Sequence, residues 1–377
     1  MNTAGLFSGI GGLELGMRRA GHDVGLMCEI DEGAREVLRT RFKEIQVHPD
    51  VHTLTSLPRG TQLLTAGFPC QDLSQAGRTK GLRGSESGLV RHVFRILKRR
   101  PIPWVLLENV PFMLHLAKGQ ALRYLISRLE ELSYRWAYRV IDSRAFGVPQ
   151  RRRRVYLLAS LEADPAEVLL GDDFDEPEQE NHDGFACGFY WTEGSRGLGW
   201  AVDAIPPLKG GSAIGIPSPP AIWLPSGQIV TPRIRDAEAF QGFPRGWTAS
   251  AEKRVPTRFR WALVGNAVTV DVAQWIGSRL QGRSPKSPVC GTRMANDDPW
   301  PIAAYGSKAL GRFRVDVGTW PVARTSDSLA GFLQDGPVPL SRTAAEGFLT
   351  RFRESSLRRP RGFVRAVEAH IKKQKKK

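Results

Sequence analysis

Apolar residues follow two different spacings along the first 160 residues of the chain. Short apolar runs predict buried strands, and they read TAGLF, DVGLMCEI, TQLLTAGF and PWVLLENV. Helical spacing of apolar residues appears between them, in GLELGMRRA, GLVRHVFRILKRR and ALRYLISRLEEL. The stretches YRWAYRVID and RRVYLLAS predict two more strands, joined by the loop SRAFGVPQR. Strands that alternate with helices in this way predict an α/β fold with a parallel sheet.

The pattern changes at about residue 161. The stretch EADPAEVLLGDDFDEPEQENHDG is acidic and predicts a linker or a surface loop. Residues 184–228 are rich in Gly, Pro and Trp without a regular period, which predicts a small irregular module. Helical patterns return in RIRDAEAFQGFP and in GNAVTVDVAQWIGSRL, and a weaker basic helix is predicted near the end of the chain.

Length, charge and cysteine content narrow the class of protein. The 377 residues predict one large domain with a smaller one. A net charge of +16 indicates a polyanionic partner such as nucleic acid. Twelve Lys and Arg stand against three Glu in residues 342–377, and the tail IKKQKKK is also typical of a solvated, disordered end.

The same composition argues against several other classes. Four cysteines without a C-x-x-C pair predict neither a disulfide framework nor a zinc site, so we expect no metal and a reducing cytoplasm. Since no apolar run approaches about 18 residues and no charged-then-apolar leader follows Met1, neither a membrane span nor a secretory signal is expected.

A glycine-rich turn at residues 6–16, LFSGIGGLELG, joins the first predicted strand to the first helix. Its glycines let a ligand approach the backbone, and a helix N-terminus favours an anionic group. The spacing differs from the G-x-G-x-x-G dinucleotide fingerprint. Glu29, at the end of the second strand, can accept hydrogen bonds from ribose hydroxyls, and Asp50 follows the third apolar stretch. Together these features predict a nucleoside ligand.

Three further stretches, GFPCQ, LLENV and GVPQRRRRV, each lie at the end of a predicted strand. The carboxyl ends of parallel strands line one crevice, so we expect Cys70, Glu108 and the arginines of residues 151–154 to converge. Singly, each has a plain structural explanation: a buried thiol, a helix cap and a solvated charged face. Together they suit attack on an electron-poor ring, with a thiolate nucleophile, a carboxyl group on a ring nitrogen and arginines on the base oxygen.

Six stretches in order resemble the motifs of the cytosine-C5 DNA methyltransferase family. They are LFSGIGG, GFPCQDLS, ENV, QRRRRVY, TPRIRDAEAFQGFP and GNAV, and they cover residues 1–160 and 229–281. The resemblance implies a Rossmann-like S-adenosylmethionine-dependent methyltransferase sheet with a small irregular target-recognition domain. It divides the chain into residues 1–160 of the catalytic and cofactor-binding domain, the target-recognition region 161–228, the return segment 229–281, and an extension, 282–377, beyond the motifs.

The resemblance also implies a role for individual residues. Cys70 would attack C6 of cytosine and Glu108 would contact the N3/N4 edge. The family's two arginines fall on Arg152 and Arg154, with Arg154 nearer the ring, although the run of four arginines leaves a one-residue slip open. The implied methyl-donor site consists of Phe7, Gly9, Gly11, Gly12, Glu29, Ile30, Asp50, Val51, Pro69, Leu89, Asn266 and Val268. The implied DNA-binding residues of the nucleophile loop are Gln71, Ser74, Arg78, Lys80 and Arg83.

The implied cofactor is S-adenosyl-L-methionine and the implied partner is double-stranded DNA, bound by a monomer in the cytoplasm of a bacterial or phage-infected cell. The resemblance leaves room for a cognate restriction enzyme. Two positions depart from the family: Gly5 stands where many members carry Asp, and Pro207-Leu208 stands near the usual Thr-Leu pair.

Three alternatives stay open at this point. Amino-methyltransferases carry [DNS]-P-P-[YF] where this chain has FPCQ, and its one S-P-P, at Ser218, lies outside the predicted sheet. A tRNA-modifying branch of the same family shares the chemistry. A catalytically silent DNA-binding protein would keep the fold but not the occupied chemical positions.

Overall fold

The computed structural model describes residues 1–68, 88–177, 181–211, 217–282, 289–295, 297–325 and 327–375. The strands within these residues are β1 (Asn2–Leu6), β2 (Asp23–Cys28), β3 (Gln46–His48), β4 (Leu63–Gly67), β5 (Trp104–Asn109), β6 (Arg135–Asp142), β7 (Arg153–Ser160), β8 (Cys187–Phe189), β9 (Ala201–Val202), β10 (Ala221–Trp223), β11 (Ile229–Thr231), β12 (Thr292–Arg293), β13 (Ala303–Ser307), β14 (Gly311–Arg314) and β15 (Val338–Pro339). The helices are α1 (Gly12–Arg19), α2 (Glu32–Arg41), α3 (Val90–Arg99), α4 (Gln120–Glu131), α5 (Ala166–Leu169), α6 (Ile234–Phe240), α7 (Arg260–Asn266), α8 (Val270–Leu280), α9 (Leu329–Phe332), α10 (Arg342–Glu354) and α11 (Phe363–Gln374).

The larger sheet confirms the α/β prediction. Its strands lie in the order β12-β14-β13-β6-β7-β5-β4-β1-β2-β3. The five strands β5, β4, β1, β2 and β3 run parallel to one another, whereas β7 is antiparallel to both β5 and β6. Since connections between parallel strands run through helices, the carboxyl ends of β1 to β5 share one edge of the sheet.

The segment beyond the family motifs adds to this sheet. Strand β13 pairs with β6 in antiparallel fashion, and β14 and β12 follow it outward. Trp300, just before β13, packs edge-on against the rings of Trp136 and Tyr138, with centroids 6.2 and 6.1 Å apart. The first part of residues 282–377 therefore extends the main core.

The predicted helix over residues 265–280 is two helices with a break between them. Helix α7 ends at Asn266, Ala267 is extended with ψ of 152°, and α8 begins at Val270. Tertiary hydrogen bonds explain the break, because the Ala267 carbonyl accepts from both Arg152 and Gln241 at 2.8 and 3.3 Å. These bonds outweigh the local helical preference.

The Gly- and Pro-rich region forms a small antiparallel sheet rather than an irregular module. The strand order is β15-β11-β10-β8-β9. These strands are only two or three residues long, which is too short to produce a visible period-2 pattern. Helices α10 and α11 pack on this sheet, and α11 continues to Gln374, so much of the basic tail is helical.

Candidate active site

The loop between β1 and α1 has left-handed backbone at three positions. Phe7, Gly9 and Gly11 have φ angles of 55°, 53° and 86°. Glycine adopts this conformation readily, whereas for Phe7 it costs roughly 1–2 kcal/mol. The Ser8 amide donates to the Cys28 carbonyl oxygen at 3.1 Å, which ties the loop to the end of β2. The rest of the structure thus fixes a strained turn beside the sheet edge.

Glu29 lies against this loop. Its two carboxylate oxygens accept the Gly9 amide at 2.7 Å and the Asp31 amide at 2.8 Å. Burial raises the pKa of Glu29, and these amide bonds oppose the shift. A Cβ on Gly9 would meet nothing within 4 Å, and the next side chain, Ile30, is 66% exposed. A carboxylate and an uncovered apolar side chain therefore border open space, which fits a nucleoside with its ribose on the acid.

The other described residues of the predicted cofactor site lie around this loop. The Glu29 amide donates to the His48 carbonyl, which brings the ends of β2 and β3 together just before Asp50. Bonds from the amide and ring of His52 to Asp50 Oδ1 lower the pKa of Asp50. A Cβ on Gly12 would overlap the Val268 carbonyl oxygen, so glycine allows residues 267–269 to cross the start of α1.

Three further residues of that set are less directly connected to the loop. Val51 is buried in the core, and its carbonyl accepts from Arg95 at 2.8 Å. Leu89 is partly buried at the start of α3. Asn266 is exposed at the end of α7, 3.0 Å from where a Cβ on Gly210 would lie.

Glu108 and Arg154 form an ion pair at the end of β5. Arg154 Nε lies 3.2 Å from Glu108 Oε1, and Glu108 is only 8% exposed. Burial raises the pKa of Glu108, while the charges of Arg154 and Arg152 oppose the rise. Strand pairing sets Gly67 of β4 directly beside Glu108, and a Cβ on Gly67 would lie 3.3 Å from Glu108 Oε2. A glycine here leaves the carboxyl group room.

Arg152 has different surroundings from Arg154. Arg152 is only 2% exposed, and its guanidinium donates to three carbonyls, those of Leu208, Gly265 and Ala267, at 3.1, 3.0 and 2.8 Å. Burial lowers its pKa to about 9. Arg152 therefore braces three chain segments, and of the four consecutive arginines Arg154 contacts Glu108.

Two motif residues to which the sequence assigned no role connect the site. Asn109 Nδ2 donates to the Phe68 carbonyl at 3.0 Å, which ties the end of β5 to the end of β4. Gln150 Nε2 donates to the Phe240 carbonyl at 2.9 Å, and its Oε1 accepts the Leu208 amide at 2.8 Å. Their position inside the ENV and QRRRRVY motifs was the available signal.

The nucleophile loop lies outside the described residues. This applies to Pro69, Cys70, Gln71, Ser74, Arg78, Lys80 and Arg83. The described residues before this loop end at Phe68, whose carbonyl accepts from Asn109. Cys70 follows two positions later in the sequence.

A cleft of about 1180 Å³ opens beside Arg154. Among the described residues, arginines from two distant segments line it: Arg144, Arg151, Arg153, Arg154, Arg358, Arg359 and Arg361. Leu198, Trp200 and Val202 of the small sheet region form another part of its wall. The cleft therefore lies between the main sheet and the small one and is strongly cationic.

No group of three or more His, Cys, Asp or Glu in the described part of the chain could hold a metal ion. Within the same residues, every helix is too short or too polar to cross a membrane.

Glu14 accounts for the glycine at position 5. A Cβ on Gly5 would overlap Glu14 Oε1, so the carboxyl group of Glu14 fills the place of a side chain at residue 5. Glu14 is fully buried and accepts the Ser8 hydroxyl at 2.9 Å. Its other oxygen has no hydrogen-bond partner among the described residues. Burial raises the pKa of Glu14 to about 7. The acid on α1 thus occupies the space that a side chain at residue 5 would need.

We predict that Gly5→Ala lowers the free energy of unfolding by roughly 1–3 kcal/mol, because its Cβ overfills the space that Glu14 occupies. The same substitution in a Glu14→Ala background should cost much less, and urea unfolding of the four proteins measures this coupling. Gly25→Ala is the control, since its Cβ meets only Pro58 at 3.7 Å. Equal effects of Gly5→Ala in both backgrounds would refute the overlap.

Glu14 should also make stability depend on pH. From its ordinary pKa of 4.5 to about 7, the folded protein keeps a proton that the unfolded chain releases. The free energy of unfolding therefore falls as pH rises through this window, by up to about 3 kcal/mol from this group. Glu14→Gln, which keeps an acceptor for Ser8, should remove that part of the decline between pH 5 and 8. Exposed Glu44→Gln should keep it, and identical pH slopes for wild type and Glu14→Gln would contradict the assignment.

The chain is similar in sequence to known methyltransferases. A family model described as C-5 cytosine-specific DNA methylase matches residues 1–186. Type II methyltransferase M2.BsuMI of Bacillus subtilis (strain 168) is 46% identical over 369 residues, which cover 93% of each chain. Type II methyltransferase M.BanI of Aneurinibacillus aneurinilyticus is 40% identical over 173 residues, 44% of this chain and 40% of that protein.

Solved structures share the fold at low sequence identity. The S. pombe Dnmt2 methyltransferase superposes with a TM-score of 0.51 at 18% identity, covering 75% of this chain and 99% of that one. A putative DNA modification methyltransferase encoded within an E. coli prophage gives a TM-score of 0.50 at 18% identity, with 75% and 99% covered. From the sequence match to M2.BsuMI and the family model, the chain belongs to the C-5 cytosine-specific DNA methylase family.

Proposed function

We propose that this protein transfers a methyl group from S-adenosylmethionine to C5 of a cytosine flipped out of a specific duplex DNA sequence. The observation that carries the proposal is the pairing of β4 with β5, which sets the buried Glu108–Arg154 pair beside the strand that leads into GFPC. Membership of the family and the names of its Type II relatives support it. Flipping is required because a stacked base does not expose C6 to a nucleophile.

In the proposed reaction the thiolate of Cys70 adds to C6 of the cytosine, and the electron pair of the C5–C6 bond becomes available at C5. Glu108 in its protonated form donates a hydrogen bond to ring N3 and stabilises the charge that develops there. Its raised pKa favours that form. Arg154 holds the base oxygen and orients the carboxyl group. After methylation at C5, loss of the C5 proton and cleavage of the sulfur–C6 bond restore the aromatic ring and the thiolate.

S-adenosylmethionine supplies an electrophilic methyl group on its sulfonium. We assign the ribose hydroxyls to Glu29, whose oxygens each have a lone pair beyond the amide bonds described above. Ile30, being exposed, would cover one face of the adenine, and the start of α1 would receive the carboxylate. The remaining proposed contacts are Phe7, Gly9, Gly11, Gly12, Asp50, Val51, Pro69, Leu89, Asn266 and Val268.

We assign Arg152 a positioning role, because its guanidinium is occupied by backbone carbonyls. The loop residues Gln71, Ser74, Arg78, Lys80 and Arg83 are proposed to contact DNA when the base is extruded. Residues 161–228 are proposed to read the sequence. We further propose that the protein acts as a monomer in a bacterial or phage-infected cell, where it protects DNA against a cognate restriction enzyme.

Cys70→Ser should abolish methyl transfer, since the hydroxyl is a far weaker nucleophile than a thiolate. The measurement is 5-methylcytosine formation on duplex DNA, by mass spectrometry of the nucleosides and bisulfite sequencing of the product. Cys290→Ser is the matched control, because Cys290 is an exposed free thiol. An undiminished rate in Cys70→Ser would rule out Cys70 as the nucleophile. Strong preference for tRNA over duplex DNA would rule out duplex DNA as the substrate.

Glu108→Gln should reduce the methylation rate by roughly 10²–10⁴-fold, because the amide keeps the shape but loses the acidic proton. Binding of S-adenosylmethionine, followed by calorimetry, should not change. Exposed Glu131→Gln serves as the control. A near wild-type rate in Glu108→Gln would remove the carboxyl group from the mechanism.

A further inference from the structure

We propose that the linker between α10 and α11, residues 355–362, is a DNA-binding segment that contacts the phosphate backbone through Arg358 and Arg361. This proposal rests on the proposed function but goes beyond it, since the linker lies far outside the family motifs. It assigns a partner to the C-terminal extension.

The last part of the extension, from β15 to α11, is built into the small sheet. Strand β15 pairs with β11, with Val230 opposite Pro339 and Thr231 opposite Val338. Buried His370 of α11 bridges this junction. Its Nδ1 accepts from the Ile229 amide at 3.4 Å, and its Nε2 donates to the Leu340 carbonyl at 2.7 Å. Sheet pairing and a buried bridge therefore fix the start of α10 and the end of α11 to the same strand.

Aromatic packing fixes the two helices against the sheet. The ring of Phe189 in β8 lies 5.2 Å from Phe348 of α10 and 4.8 Å from Phe363 of α11, measured between centroids. Phe363 also packs against Trp200 at 5.2 Å. All three phenylalanines are fully buried. The helical hairpin and the small sheet thus share one core.

The linker itself is held at the cleft. Gly362 adopts a left-handed φ of 76° immediately before α11, which turns the chain. The Arg361 carbonyl is 3.0 Å from His182 Nε2, across 179 residues of sequence. The linker therefore lies against the region proposed to read DNA, and this bond uses backbone that a side-chain substitution leaves in place.

The arginines of the cleft differ in how their charge is compensated. Arg144 and Arg153, on the main-sheet side, both pair with Glu176 and Asp142. Among the described residues, Arg358, Arg359 and Arg361 are exposed and make no ion pair, and Arg359 donates to the Arg353 carbonyl at 2.8 Å. Arg358 and Arg361 thus present to the cleft two guanidinium groups that make neither an ion pair nor a hydrogen bond with the described residues.

A duplex DNA backbone is the partner that this arrangement fits. Guanidinium groups bind phosphate oxygens through paired N–H donors, and each such contact releases counterions from the DNA. Arg154, beside Glu108, lines the same cleft, so a strand that delivers a base to that pair passes along the cationic wall. The arginines of residues 144–154 and those of residues 358–361 would then contact the DNA on either side of one site.

The test compares Arg358→Ala/Arg361→Ala with Lys372→Ala/Lys373→Ala. Both double variants remove two exposed charges from the same helical hairpin, but the lysines lie outside the lining of the cleft. Affinity for a duplex DNA fragment is measured by fluorescence anisotropy over a range of salt concentrations. The arginine variant should weaken binding and reduce the slope of log K against log salt by about 2, equally for all sequences. The lysine variant should keep a slope close to that of wild type.

Formation of 5-methylcytosine by the wild-type protein distinguishes failure of this proposal from failure of the proposed function. If the wild type methylates DNA and the arginine variant keeps the salt slope of the lysine variant, the linker assignment is wrong and the function stands. If the wild type forms no 5-methylcytosine, the proposed function fails and this inference fails with it. Unchanged melting temperature and S-adenosylmethionine affinity in the arginine variant confirm that the effect is local.

Discussion

The pairing of β4 with β5 is the constraint on which the site depends. It sets Gly67 beside Glu108, and the absence of a side chain on Gly67 leaves space for a carboxyl group in an otherwise buried position. Arg154, on the antiparallel neighbour β7, supplies a close opposite charge that makes this burial tolerable. Burial favours the protonated form of this carboxyl group, and the neighbouring cation favours the charged form. The group is therefore suited to hydrogen-bond a ring nitrogen, because either its proton or its charge is available as electron density shifts.

A second set of buried polar groups joins segments that are far apart in sequence. Arg152 and Gln150, from the start of β7, bind carbonyls or amides near residues 208, 240 and 265–267. A buried guanidinium that lost one of these acceptors would leave a donor unsatisfied at a cost of roughly 1–3 kcal/mol. These bonds therefore hold the return segment and the small sheet in a fixed position relative to the catalytic edge.

The sequence predicted the strands β1, β2, β4 and β5, the helices α1, α3 and α4, and the charged groups at the strand ends, because the apolar spacing of these segments reflects their burial. It did not predict α2 or the short strand β3. It did not predict the break after Asn266 or the small sheet, since both depend on hydrogen bonds between distant segments. Gly5 looked like a departure from the family, and only the position of Glu14 explains it. The roles of individual site residues remain predictions, with Cys70 outside the described residues.

The central claim is that Cys70 becomes covalently bonded to an extruded cytosine. Duplex DNA substituted with 5-fluorocytosine tests it directly, because fluorine at C5 blocks the elimination that would release the enzyme. The protein is incubated with this DNA and S-adenosylmethionine, digested, and analysed by mass spectrometry. We expect a nucleotide attached to the peptide that contains Cys70. The absence of any adduct, or an adduct on Cys290 alone, would contradict it.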